Sequence, residues 1–246
     1  MGPMASKAGW WMVRGSVQAW RAWQGWRRPS LAVALLAVLL AGALQADWDF
    51  TLISRRAENL YGPLGPGKQR IDDWQETLGR LAGADEKTQL EEVNRFFNAK
   101  LRFRDDSELW GETDYWATPV QALRIGAGDC EDFAIAKYFS LRQLGVPSEK
   151  LRITYVKALR LNQAHMVLTY YASPDAMPLV LDNLVGIIRP ANQRTDLMPV
   201  YAFNAEGLWL AGSGGGKQVG DAKRLSRWQE LLKKMKAEGF PVEPTR

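Results

Sequence analysis

The chain of 246 residues contains one cysteine, Cys130, and one histidine, His165. Any thiol chemistry it performs therefore has one nucleophile and one imidazole to draw on. Cys130 falls in Gly126-Ala127-Gly128-Asp129-Cys130-Glu131-Asp132-Phe133. Only the thiolate is a strong nucleophile, and it is favoured at a helix N-terminus beside an imidazole. The bland alternative is a packed thiol, because free cysteine behaves as a small hydrophobe, together with a strand histidine that is satisfied locally and idle.

The elements that must position the pair can be read from periodicity. Phe133, Ala134, Ala136, Tyr138, Leu141 and Leu144 place apolar residues on more than one side of a helix running from Cys130 towards Gly145-Val146-Pro147, which predicts a well-buried central helix with the thiol in its first turn. In front of it, Thr118, Pro119 and Gln121 form a capping box for a short helix ending by Gly126. Earlier still, Ile71, Trp74, Leu78 and Leu81 recur at helical spacing up to Gly83, and Asp85 can cap a second helix burying Leu90, Val93, Phe96 and Phe97.

Beyond Pro147 the pattern changes to strands: Leu151–Ala158, Ala164–Ala172 and Pro178–Leu184, with a fourth around Val185–Arg189 or Leu208–Ala211. Ser213-Gly214-Gly215-Gly216 reads as a flexible loop. Asp221 then caps a last amphipathic helix over about 221–238, which carries Leu225, Trp228, Leu231, Leu232 and Met235 and stops at Gly239. Helices first and strands afterwards indicate an α+β domain.

The second and third strands flank Ser173-Pro174-Asp175, so a hairpin is expected. Centring its turn between Ser173 and Pro174 sets His165 directly opposite Asp182. Moving the turn by one residue in both arms makes the two diagonal neighbours on one face. The intermediate register sets His165 opposite Asn183, on the other face of the strand. We favour Asp182, since a carboxylate also stabilises the imidazolium that forms.

Asp129, Glu131 and Asp132 read first as capping acids, with Asp129 at the N-cap and the others well placed against the helix dipole. Three carboxylates around a thiol nevertheless oppose its ionisation. A hard cation on their oxygens would remove that penalty, and Ca2+ is the natural candidate. Zinc is not suggested, since it prefers several Cys or His ligands.

The net charge of +5 comes entirely from Lys7, Arg14, Arg21, Arg27 and Arg28, because no acid precedes Asp47 and the rest of the chain is balanced. A broad basic face for nucleic acid is therefore not expected. Residues 1–46 read as an export signal: Arg27-Arg28, an apolar run from Leu31 to Leu44, and small residues Ala41, Ala43 and Ala46 at the cleavage position. An uncleaved anchor is the alternative, although the run is shorter than the roughly 20 residues a span needs. Five tryptophans precede Arg27, and a start at Met12 gives a more ordinary leader. Residues 47–246 are expected to form a single domain. An odd cysteine in an exported chain marks a reactive thiol.

Taken together, Trp116-Ala-Thr-Pro119, Gly126-Ala-Gly-Asp-Cys-Glu-Asp-Phe-Ala-Ile-Ala-Lys-Tyr138, Ala164-His165-Met166-Val167-Leu168 and Leu181-Asp182-Asn183 resemble the bacterial transglutaminase-like cysteine proteinases. The resemblance runs from about Asp47 to Leu210. It implies a papain-like, transglutaminase-type core, with Cys130 as nucleophile, His165 as general base and acid, and Asp182 as the orienting residue. It also implies calcium dependence, with Asp129 and Glu131 as ligands; Asp132 and Asp114 are added as further candidates. The implied substrate is a large surface adhesin, cut near its N-terminus at a di-alanine site in the periplasm to release it and disperse biofilm. The implied regulator is an inner-membrane receptor for cyclic di-GMP. The backbone N–H of Cys130 is a natural oxyanion donor, and the Trp116 indole N–H is a candidate second one, against its reading as a packed aromatic. Two other functions use the same residues: transglutaminase-type acyl transfer to an amine, and a binding module whose triad is idle.

Overall fold

The structure is a computed structural model and describes residues 48–210, 217–222 and 225–242. All of them belong to one compact unit, Gln45–Arg246. The expected export signal and the Ser213–Gly216 loop lie outside the described residues.

Helices come first, as the periodicity predicts. Helix α1 spans Phe50–Tyr61, α2 Pro66–Leu81 and α3 Glu86–Lys100. Pro66 opens α2 at the position where a missing N–H costs nothing. Its inward residues Ile71, Trp74, Leu78 and Leu81 are buried. The Asp85 side chain caps α3 by accepting the Thr88 backbone N–H at 3.0 Å. A short helix, α4 (Asp106–Leu109), follows the two-residue strand β1 (Arg102–Phe103). The Thr118 capping box then starts α5 (Pro119–Ile125), which Gly126 ends in the left-handed conformation at φ 75°. Gly67 lets α2 approach α5: a Cβ there would lie 2.4 Å from the Arg124 Cα.

Strand β2 (Ala127–Gly128) pairs in parallel with β1 and leads directly into α6, Cys130–Gln143. Residues 131–141 of α6 are all buried, including Lys137. This central helix packs between α3, α5 and the large sheet. None of the helices among the described residues is long and apolar enough to cross a membrane.

The sheet has seven antiparallel strands: β3 (Leu151–Ala158), β4 (Gln163–Tyr170), β5 (Leu179–Leu181), β6 (Arg189–Pro190), β7 (Leu197–Phe203), β8 (Leu208–Leu210) and β9 (Lys217–Gly220), in the order β6-β5-β4-β3-β7-β8-β9. Met166, Leu168 and Tyr170 of β4 join the main core, while Val167, with Val156 and Val180, forms a smaller cluster. That split is the period-two alternation of a strand buried on both sides. The last helix, α7, spans Ser226–Glu238 and ends at Gly239, φ 98°. The fold is α+β, as the order of elements predicts.

Four expectations change. Helix α7 begins after Leu225 rather than at Asp221. Strand β5 is three residues long instead of seven, because the chain turns away at Asp182. The central strand β7 and helix α1 were not anticipated. Strand β7 carries Pro199 in its interior, which argues against a central strand. The ladder accommodates it with a bulge: Tyr155 pairs with Tyr201 and Val156 with Pro199, leaving Val200 extra.

Candidate active site

Cys130 and His165 line one cavity of about 790 Å³, together with Phe103, Trp116, Tyr155, Leu161, Leu184 and Tyr201. Cys130 comes from the N-terminus of α6 and His165 from the beginning of β4, two elements that pack against each other. A backbone hydrogen bond from Met166, the residue after the histidine, reaches the Cys130 sulfur.

His165 is 3% exposed and Asp182 1%. The imidazole Nε2 and Asp182 Oδ1 are 2.8 Å apart. The hairpin has the shifted register: Leu168 pairs with Leu181 and Tyr170 with Leu179, so His165 and Asp182 are diagonal neighbours on one face. The ladder ends at Leu181, and Asp182 accepts the Leu184 backbone N–H at 3.0 Å, a turn made by its own side chain. The Asn183 Oδ1 is buried with no hydrogen-bond partner among the described residues.

Burial alone would push the Asp182 carboxyl up. The hydrogen bond and charge of His165, the Leu184 N–H and Arg194 outweigh it and hold the group at about 2. Asp182 is therefore an ionised acceptor, so Nε2 carries the ring proton. In the neutral ring Nδ1 is then left as an acceptor.

The thiol is held differently. The Cys130 Sγ–H donates to Glu131 Oε2 at 3.1 Å. Burial, and then the charges of Glu131 and Asp129, push the thiol pKa up. The acids themselves are also driven towards their neutral forms. Burial, followed by the charges of Glu131, Asp132 and Asp106, pushes Asp129 up to about 10. Burial likewise raises Glu131, Asp106 and Asp132.

Asp106, at the start of α4, is the member that sequence reasoning missed. It is 3% exposed, and its ligand atoms lie within 4.8 Å of those of Asp114 and Glu131 in one group and of Asp129 and Asp132 in another. Its only sequence signal was the Asp105-Asp106 pair after a short strand, which reads equally well as a helix start. The parallel pairing of β1 with β2 carries this segment to the front of Cys130.

The acids fit a hard cation. The buried Oδ1 atoms of both Asp129 and Asp106 have no hydrogen-bond partner among the described residues, and such oxygens are costly unless something positive meets them. The other two candidates are more committed. Both Asp132 oxygens accept backbone N–H groups, from Ala117 at 2.7 Å and Asp129 at 3.3 Å. Asp114 accepts the Trp116 indole N–H at 3.0 Å and pairs with Arg227 at 2.7 Å. The Trp116 N–H is thus occupied, and its ring stacks on Phe203, so the packed-aromatic reading holds there.

A model of the family described as bacterial transglutaminase-like cysteine proteinase, BTLCP, matches residues 73–201. Among solved structures, Legionella pneumophila LapG is 44% identical, covering 77% of this chain and 98% of that one with a TM-score of 0.66. The EGTA-treated form of the same protein gives 44% identity, the same coverage and a TM-score of 0.67. The calcium-bound form gives 43% identity, 74% and 98% coverage and a TM-score of 0.64. A comparison with curated protein sequences gives no match.

Proposed function

The chain belongs to the bacterial transglutaminase-like cysteine proteinases, and on that premise we propose that it is a calcium-dependent endopeptidase whose catalytic triad is Cys130, His165 and Asp182. The observation that carries the reading is that His165, on the wall of the cavity that Cys130 lines, is paired with the buried Asp182 at 2.8 Å.

The chemistry follows from those positions. His165 Nδ1 takes the thiol proton as the sulfur attacks the scissile carbonyl carbon, and Asp182 stabilises the imidazolium through Nε2–H. The Cys130 backbone N–H, at the first position of α6, is free of intrahelical bonding and faces the developing oxyanion. The imidazolium then gives its proton to the leaving amine, the C–N bond breaks, and an acyl-enzyme remains. His165 next takes a proton from water as its oxygen attacks the thioester carbon; the C–S bond breaks, the acid product leaves, and the imidazolium returns its proton to the sulfur.

Asp129 and Glu131, joined by Asp106, would hold the calcium ion. When bound, it supplies the positive charge that offsets the acids crowded around the sulfur. The calcium-bound and EGTA-treated forms of the Legionella protein support a calcium requirement, and the unpartnered buried oxygens of Asp129 and Asp106 support these residues as its ligands.

The substrate we propose is a large surface adhesin of the LapA type, cut near its N-terminus at a di-alanine site. The basic, then apolar, leader supports export to the periplasm. There, a LapD-type receptor for cyclic di-GMP would withhold the protease when the nucleotide is abundant, and adhesin release would otherwise disperse biofilm. The test is incubation with the N-terminal segment of a LapA-type adhesin from the same organism. The wild-type chain should cut once, Cys130→Ala should not cut, and a chelator should stop cleavage until Ca2+ is restored, with Mg2+ less effective. Cleavage by Cys130→Ala would overturn the assignment.

A further inference from the structure

Arg194 lies behind the His165–Asp182 pair. It follows the single turn Ala191–Gln193, where its backbone N–H donates to the Ala191 carbonyl at 3.0 Å and its carbonyl accepts from Leu197 at 3.0 Å. The side chain is 3% exposed. Its Nη2 donates to Asp182 Oδ2 at 2.7 Å, and Nε and Nη2 reach the two Asp196 oxygens at 2.9 and 2.8 Å. Asp196 is fixed in turn, because its carbonyl accepts the Leu159 N–H at the end of β3 at 2.8 Å.

Both oxygens of Asp182 are therefore taken, Oδ1 by His165 and Leu184 and Oδ2 by Arg194. The carboxylate cannot rotate about its own bond without losing the arginine. Arg194 Nη1 meanwhile is buried with no partner among the described residues. An unpaired buried donor is a cost, so the guanidinium is not placed there to satisfy itself. We infer that Arg194 is a positioning residue for catalysis, locking the Asp182 carboxylate in the orientation that receives His165 Nε2–H, with Asp196 locking Arg194.

The charge count agrees. With a neutral imidazole, the row Asp196–Arg194–Asp182–His165 carries one net negative charge. Once the ring takes the thiol proton, the row is neutral. Two further basic groups face it: Arg160 from the β3–β4 turn, whose charge acts on Asp196, and Lys137 from α6, which burial lowers to about 7 against the charge of Asp182.

The inference rests on the triad proposed above, and one property of the chain keeps the two separable. His165 is the only histidine, so imidazole nitrogen NMR signals report on it alone, without any assay of cleavage. The wild-type ring should be protonated at Nε2. In Arg194→Gln the two tautomers should mix, kcat per alkylatable thiol should fall by about 30-fold, and KM should stay within about twofold. The acid limb of kcat should move to higher pH, because Asp182 then ionises less readily. Arg194→Lys keeps the charge without the fork, so it should restore the acid limb and only part of kcat. Asp196→Asn, at the more exposed end of the row, should shift the same readouts by less. An Arg194→Gln enzyme with wild-type kcat per thiol and an unchanged tautomer would overturn the inference while leaving the triad in place. A wild-type protein whose cleavage does not depend on Cys130 would remove both.

Discussion

The Asp132 carboxylate accepts the backbone N–H of Ala117 at 2.7 Å, across fifteen residues of chain. Its second oxygen accepts the Asp129 N–H. One buried side chain thus ties the start of the cysteine helix to the segment carrying Trp116 and Thr118. Gly128 makes room for it: a Cβ there would lie 2.6 Å from Asp132 Oδ2 and 2.7 Å from Asp132 Cβ. Even if the carboxyl oxygen turned away, the Cβ at the base of the side chain could not swing aside. Gly128→Ala should therefore cost about 1–3 kcal/mol and lower Tm by roughly 5 °C. Thiol alkylation should also change rate as Cys130 shifts. Calorimetry showing an unchanged Tm would mean that the loop yields without disturbing Asp132.

The shifted hairpin register makes a sharp comparison possible between two adjacent residues. Asp182→Asn keeps the shape but loses the charge that stabilises an imidazolium, and it leaves Arg194 facing a neutral amide. Turnover should fall by about 100-fold or more. Asn183→Ala removes an amide whose oxygen has no partner among the described residues, and kcat should stay within about threefold. Steady-state kinetics in the reverse order would mean that Asn183, not Asp182, orients the ring.

The parts of this site that could be read from sequence are those fixed by local rules. The Thr118 capping box, the glycine stop at Gly126 and the helix opening at Cys130 are short-range signals, and each stands where the pattern places it. The parity argument that put Asp182 with His165 needed only a hairpin and survives its change of register. Asp106 and Arg194 carry no such signal. They reach the site because β1 pairs with β2 and because β7 lies beside β3, and neither contact follows from the residues around them. Strand β7 was hidden by Pro199, which the bulge at Val200 absorbs. Helix α1 did carry a local signal, with Phe50, Ile53 and Ala57 at helical spacing behind the capping Asp49, and it was legible but unread.

Glu238, near the end of α7, gives a pH dependence of stability with a definite sign. It accepts from the Thr118 hydroxyl and the Tyr61 phenol, and its second oxygen is buried with no partner among the described residues. Burial raises its pKa from 4.5 to about 7 against those two hydrogen bonds and Lys234. The folded state then holds a proton that the unfolded state has released, so unfolding free energy declines as pH rises from about 4.5 to about 7 and levels off above. The contribution is roughly 3 kcal/mol at most. Denaturant melts at pH 5 and pH 8 should show Glu238→Gln losing less stability over that interval than the wild type. Equal losses in the two proteins would mean that the carboxyl is already ionised at pH 5.

Calcium should act on the fold as well as on catalysis, because the ligands proposed for it come from α4 and from the start of α6. A ligand that binds only the folded state at 100 times its Kd adds about 2.7 kcal/mol, so Tm should rise by several degrees with Ca2+ and fall back with a chelator. Mg2+ should give less, since it demands a tighter octahedral shell and releases its waters reluctantly. Asp106→Asn tests the membership that sequence alone did not suggest. Asp106 also accepts the Tyr115 backbone N–H, a bond that an asparagine oxygen can keep while the charge is lost. The variant's Tm in chelator should therefore stay near or above that of the wild type, as like charges are removed from a buried group. Its Ca2+-induced rise should shrink markedly. A full-sized rise in Asp106→Asn would place the ion elsewhere among these acids.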